Sequence, residues 1–216
     1  MLIHALPGMG ADRRMYPSPW PQLPGFKAHD WVRYRGETTL SEVARSMCEA
    51  GGIQDGDLLV GSSLGGMVAC EITKIRRIPA LYLLGSAIHK EEISRLLSAL
   101  HPLARLAPIE WVRVSAGKIP SEFTQMFTNI EAAFVRAMCA AIFKWDGLGP
   151  TSTKVFRIHG SRDLVIPPPP KADLLLSGGH LISVTHAREC MSFIVNSNQS
   201  QGLGDGFDSS HALTVS

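Results

Sequence analysis

A five-residue turn, Gly61-Ser62-Ser63-Leu64-Gly65, joins an apolar run at 58 to 60 to a stretch of helical spacing from 65 to about 77. An apolar run that short, cut by glycine and reopening at a period of three to four, reads as a buried strand entering a helix. The pattern G-x-S-x-G has a chemical reason at such a joint. A serine hydroxyl becomes a useful nucleophile when it is held clear of its own backbone, beside a base and N–H donors. A sharp strand-to-helix turn provides that position and crowds the residues two before and two after the serine, so both are expected to be glycine. Reading Ser62 as the centre would put Val60 at the first glycine position, which leaves Ser63 as the candidate nucleophile.

The flanking chain repeats a strand-then-helix rhythm. Leu2 to Leu6 is apolar and breaks at Pro7-Gly8-Met9-Gly10, a loop able to offer a backbone N–H, that of Met9, to an anionic oxygen. Residues 11 to 24, rich in proline and aromatics, read as a short helix or a packed irregular loop, and His29 to Tyr34 reads as a second strand. Thr39 stands three before Glu42, a capping box for a helix running to Gly51-Gly52. Ala80 to Leu84, Lys154 to Ile158 and Asp173 to Leu176 read as further strands, and Thr185 to about Asn196 as the last helix. Strands that are continuously apolar, alternating with helices, predict a parallel sheet covered on both faces.

Between about 88 and 149 no strand pattern appears. Ile93, Leu96, Leu97 and Leu100 mark one helix, and Phe123 through Ile142 mark one or two more, so this stretch reads as a helical insertion over the sheet edge. The expected organisation is one domain over 1 to 196 carrying that insertion, followed by a mobile tail over 197 to 216 rich in Gly, Ser, Asn and Asp.

Composition narrows the function classes. A balance of +2 from 21 basic and 19 acidic residues, with the basic ones scattered, gives no footprint for nucleic acid. No run approaches the roughly 18 apolar residues of a membrane span, and the N-terminus lacks the basic and apolar regions of a signal peptide, so a cytoplasmic protein is expected. Charged residues at 19% are somewhat few, which hints at an apolar groove or a contact between identical subunits. Cys48, Cys70, Cys139 and Cys190 lie far apart on predicted helices with no clustered histidines, so they read as buried free thiols, and neither a metal nor a cofactor is expected.

Ser63, Asp163 and His180 each follow a strand, at the sheet edge where reactive groups collect in open α/β sheets. A histidine can take the serine proton and return it, and a carboxylate behind it fixes the imidazole. On Leu6-Pro7-Gly8-Met9-Gly10, Gly61 to Gly66, His159-Gly160-Ser161-Arg162-Asp163 and Gly178-Gly179-His180, in that order, the chain resembles an α/β-hydrolase fold serine hydrolase. The resemblance implies a three-layer α/β fold with a mostly parallel sheet of about six strands, lacking the family's first two, under a helical cap. It also implies Ser63 as nucleophile, His180 as general base and acid, Asp163 as orienting carboxylate, and the Met9 and Leu64 N–H groups as the oxyanion hole. Pro7 stands where many members have histidine, but the donor is backbone, so the hole is expected to survive. His186 stays open as the base, Asp146 or Asp173 as the acid, and His159 reads as a buttress of the acid turn. The expected reaction is hydrolysis of a small carboxylic ester through an acyl-enzyme. A thioester, lactone or C–C substrate, or a non-catalytic receptor that uses the pocket for a small ligand, would fit the same residues.

Overall fold

The computed structural model describes residues 1–93, 125–127 and 131–202. Six strands, β1 (Ile3–Leu6), β2 (Phe26–Ala28), β3 (Leu58–Ser62), β4 (Ala80–Leu84), β5 (Lys154–Gly160) and β6 (Leu174–Leu176), form one sheet in the order β2-β1-β3-β4-β5-β6. Every pairing is parallel, from Ile3 opposite Phe26 at one edge to Gly160 opposite Leu176 at the other. The described helices are α1 (Leu40–Gly51), α2 (Leu64–Ile72), α3 (Ala132–Ile142), the single turn α4 (Ile182–Thr185) and α5 (Ala187–Ser200).

The strand period of two sorts side chains onto two cores. Leu6, Leu59, Leu81 and Leu83 meet α1, α2 and α3 on one face. Ile3, Ala5, Leu58, Val60, Tyr82 and Ile158 meet Trp20, α4 and α5 on the other. Strands β3 and β4 are therefore buried at every position, which is why they read as unbroken apolar runs. Helix α1 begins at the expected capping box, with Thr39 accepting from the Glu42 N–H, and ends at Gly52 in the left-handed conformation. The four cysteines are free and lie on α1, α2, α3 and α5, with Cys139 half-buried and the other three buried.

Three expected boundaries are corrected. The second strand is Phe26–Ala28, not 29 to 34. The His29 N–H still reaches the Ala5 carbonyl at 2.9 Å, after which the chain leaves the sheet. Trp31 and Tyr34 are apolar because their rings pack on Phe134 of α3, not because they alternate across a sheet. Helix α2 stops at Ile72, where Lys74 and Ile75 tighten the chain with bonds to the carbonyls three residues back. The last helix is broken at His186 (φ −133°, ψ 39°) and runs on to Ser200, since Ile194 and Asn198 still face the sheet and Tyr82 Oη donates to Asn198 Oδ1 at 2.7 Å. The helix expected around Leu96, Leu97 and Leu100, and the tail beyond 202, lie outside the described residues.

A buried polar line crosses β1, from the end of β2 to the start of β3. His4 and His29 pair through Nδ1 and Nε2 at 2.8 Å, and His4 Nε2 lies 3.2 Å from Asp57 Oδ2. Asp57 also accepts the N–H groups of Leu2 and Gln54, so it holds the start of β3 to the start of β1. Burial pushes the pKa of His4 down, and burial together with His4 and Lys27 brings His29 down to about 4. Burial and the neighbouring Arg157 bring His159 to about 4 as well. These histidines stay neutral in the fold while the unfolded chain takes up protons below about pH 6.5, so their contribution is complete above that pH and is lost on the way down. The unfolding free energy in urea is expected to fall by a few kcal/mol between about pH 6.5 and pH 4, and His29→Gln to flatten part of that slope. A stability independent of pH over that range would contradict the buried neutral state.

Candidate active site

Ser63 links β3 to α2 at φ 51° and ψ −121°, and among the described residues it alone combines a side chain with a positive φ. That conformation costs free energy and persists because the surroundings dictate it. The flanking glycines are required sterically. A Cβ on Gly61 would lie 2.7 Å from the Gly65 carbonyl carbon and overlap Gly66, and one on Gly65 would overlap the Leu6 and Pro7 carbonyl oxygens. The second glycine thus answers to the end of β1 rather than to the first glycine.

His180 is delivered by the loop after β6, where a Cβ on Gly160 would overlap the Gly179 carbonyl oxygen. Its Nε2 lies 2.9 Å from Ser63 Oγ and its Nδ1 2.8 Å from Asp163 Oδ2. Asp163 and His180 are both buried. Asp163 Oδ1 accepts the N–H groups of Val165 and Ile166 at 2.9 and 3.0 Å, which leaves Oδ2 to the imidazole. Since a carboxylate only accepts, Nδ1–H donates to it, and the Nε2 lone pair is left to accept from the Ser63 hydroxyl. Gly85 keeps this corner open, because a Cβ there would come within 3.2 Å of Asp163 Oδ2 and 3.0 Å of the His180 carbonyl.

The loop after β1 lies against the serine, with a Cβ on Gly8 falling 3.5 Å from Ser63 Cβ. Tyr16 Oη donates to the Leu6 carbonyl at 2.6 Å, Trp31 Nε1 to the Gly8 carbonyl at 3.0 Å, and the Gly8 N–H to Met15 Sδ. Among the described residues the N–H groups of Met9 and Leu64 have no acceptor, and Leu64, as the first residue of α2, can have none within its helix. Beyond this loop a cavity of about 140 Å³ opens between Gly10, Trp31, Met126 and Phe134.

The alternatives fall elsewhere. His186 packs behind Gly178 and meets Thr185 Oγ1 at 2.8 Å. Asp173 accepts the Arg157 N–H beside β5, and Asp146 is exposed at the end of the insertion. His159 is fully buried with neither ring nitrogen bonded, and so does not brace the acid turn by hydrogen bonds. Among the described residues no group of three or more His, Cys, Asp or Glu side chains could hold a metal, and no helix is long and apolar enough to cross a membrane.

Three further polar residues adjoin the site. Ser86 Oγ donates to the Ser63 carbonyl at 2.7 Å, and Arg157 on β5 binds both Glu92 and the Ser86 carbonyl. No local pattern marks them, because each partner is far away in sequence.

No family model and no curated protein matches the chain. Solved structures do match. A hydrolase from Oleispira antarctica is 17% identical with a TM-score of 0.73, over 92% of this chain and 90% of its own. An esterase from Exiguobacterium antarcticum is 15% identical with a TM-score of 0.71, over 92% of both chains. A thermophilic esterase from Thermogutta terrifontis is 16% identical with a TM-score of 0.68, over 92% of this chain and 90% of its own. With its parallel sheet, its strand-to-helix turn at Ser63 and these likenesses along nearly its whole length, the chain has the α/β-hydrolase fold.

Proposed function

We propose that this chain is a serine hydrolase that cleaves a small carboxylic ester. The observation that carries the reading is the unbroken line Ser63 Oγ, His180 Nε2, His180 Nδ1, Asp163 Oδ2, closed at 2.9 and 2.8 Å around a serine in a strained turn. His180 takes the Ser63 proton as Oγ attacks the ester carbonyl, and Asp163 steadies the resulting imidazolium. The tetrahedral oxyanion lies against the Met9 and Leu64 N–H groups. Collapse expels the alcohol with the proton returned by His180, and water then releases the acid by the same steps in reverse order. The matched structures named as esterases favour an oxygen ester over a thioester or a C–C bond. Trp31, Val32, Met126 and Phe134 give the cavity beyond the loop after β1 an apolar wall, but neither Ser63 nor His180 lines it, so the choice of acyl group is left to an ester panel.

The test is the intact mass of the protein after brief exposure to a fluorophosphonate, which labels only activated serines. One adduct on the wild type and none on Ser63→Ala is the expected result. A folded wild type that takes no label would turn the reading toward a receptor that binds a small ligand in the same pocket.

A further inference from the structure

The Ser63 carbonyl takes no part in acyl transfer, yet three donors converge on it. They are the Gly66 N–H at 3.0 Å, the Met67 N–H at 3.4 Å and, from outside the helix, Ser86 Oγ at 2.7 Å. The Ser63 carbonyl and the Leu64 N–H are opposite edges of one peptide unit, and that unit is planar. Whatever fixes the direction of the oxygen fixes the direction of the hydrogen.

The surroundings are shaped for this contact. Ser86 is fully buried, and a Cβ on Gly66 would lie 2.5 Å from Ser86 Cβ and overlap its hydroxyl oxygen. The third glycine of the turn is therefore set by the approach of Ser86, whereas G-x-S-x-G alone gives no reason for it. Ser86 is held in turn by its own carbonyl, which accepts from Arg157 Nη2 at 3.2 Å. The same guanidinium forks onto Glu92 at 2.8 and 2.7 Å, and Glu92 Oε2 takes the Ile88 N–H at 2.9 Å. The chain from Ser86 to Glu92 is thus wrapped round one buried cation. A two-toothed guanidinium–carboxylate pair fixes direction as well as distance.

We propose that Ser86 is a positioning residue that aims the Leu64 N–H at the developing oxyanion, with Arg157 and Glu92 holding Ser86 in place. This role rests on Ser63 acting as the acylated nucleophile. A ground-state ester carbonyl is a weak acceptor and the tetrahedral oxyanion a strong one, so a misdirected donor lowers kcat and leaves KM in place. The pH midpoint of kcat/KM stays where it is, because His180 and Asp163 are untouched.

The experiment compares wild type, Ser86→Ala, Ser86→Thr and Ser86→Cys for ester turnover and for the rate of fluorophosphonate labelling, with folding checked by circular dichroism. Removing an oxyanion donor outright costs a hundredfold or more, so misdirecting one in Ser86→Ala is expected to lower kcat and the labelling rate by about tenfold, with KM held within about twofold. Ser86→Thr keeps the hydroxyl and, where circular dichroism shows it folded, is expected to recover most of the activity, the added methyl group in a fully buried site lowering stability instead. Should the alanine variant not fold, Ser86→Cys, nearly the same size with a weaker donor, carries the same expectation. A folded Ser86→Ala that labels as fast as a reactive wild type overturns the positioning role alone, as does a loss that falls on KM or moves the pH midpoint. A wild type that does not label overturns both the positioning role and the nucleophile on which it rests.

Discussion

Replacing Ser63 by alanine is expected to lower ester turnover by about a millionfold, and His180→Ala by a similar factor. The two losses are expected not to add, because the proposed nucleophile and base would act as one unit across the 2.9 Å contact, either alone leaving the other idle. What survives, roughly a thousandfold over water, belongs to binding and the oxyanion donors. Asp163→Asn is expected to cost less, about ten-thousandfold, for a reason visible in its surroundings. The Val165 and Ile166 N–H groups would claim the amide oxygen, turning the NH₂ toward His180 Nδ1. That nitrogen would then have to accept, its hydrogen would move to Nε2, and the lone pair facing Ser63 would be lost. Steady-state turnover of an aryl ester by folded variants decides the matter. A Ser63→Ala protein retaining wild-type turnover would sink the acyl-enzyme.

The largest expected effect on stability is that of Gly65→Ala. Nothing in the backbone conformation of Gly65 demands glycine, since its φ is not among the positive ones, so the penalty is steric alone. The new methyl group would meet the Leu6 and Pro7 carbonyl oxygens, which are main chain and cannot rotate away as a side chain would. Relief requires parting β1 from the start of α2, at a cost of about 3 kcal/mol or more in unfolding free energy. Gly179→Ala is the control, because a Cβ there meets nothing within 4 Å and the position carries no positive φ. It is expected to change stability by about 1 kcal/mol at most. Urea midpoints measured side by side test the contrast, and equal midpoints for the two variants would mean that the loop after β1 yields easily.

How much of this was legible in the sequence depended on the range of the forces involved. Strands β3 and β4 announced themselves because a doubly covered sheet leaves no polar face to interrupt an apolar run, and β1 and β5 because their apolar residues outweigh His4 in one and Lys154, Arg157 and His159 in the other. Strand β2 did not, being three residues long at the sheet edge with exposed Lys27 at its centre, while the aromatics just beyond it answer to α3. Ser63, Asp163 and His180 were legible because each stands beside the small residues its turn requires. Ser86, Arg157 and Glu92 were not, because a serine after a strand and an arginine within one are ordinary until the separation of 65 positions between Glu92 and Arg157 is folded away. The same holds for His4, His29 and Asp57, which meet only across three parts of the chain.

The chain leaves the sheet region at Ile88 and returns at Leu148, and there the Leu148 N–H meets the Ile88 carbonyl at 2.9 Å. Trp145 Nε1 donates to Glu71 at 2.7 Å and Lys74 to the Gly147 carbonyl at 2.8 Å, which bolts the returning end to the last turn of α2 and the residues just beyond it. The two ends thus form a socket whose geometry is complete before the intervening segment is considered. Closing a longer or shorter loop across a fixed socket changes its entropic cost slowly, by only about 0.6 kcal/mol for each doubling of length. The length of chain between Glu92 and α3 can therefore change at little entropic cost, provided that Glu92, α3, Trp145 and Gly147 keep the contacts that fix the two ends.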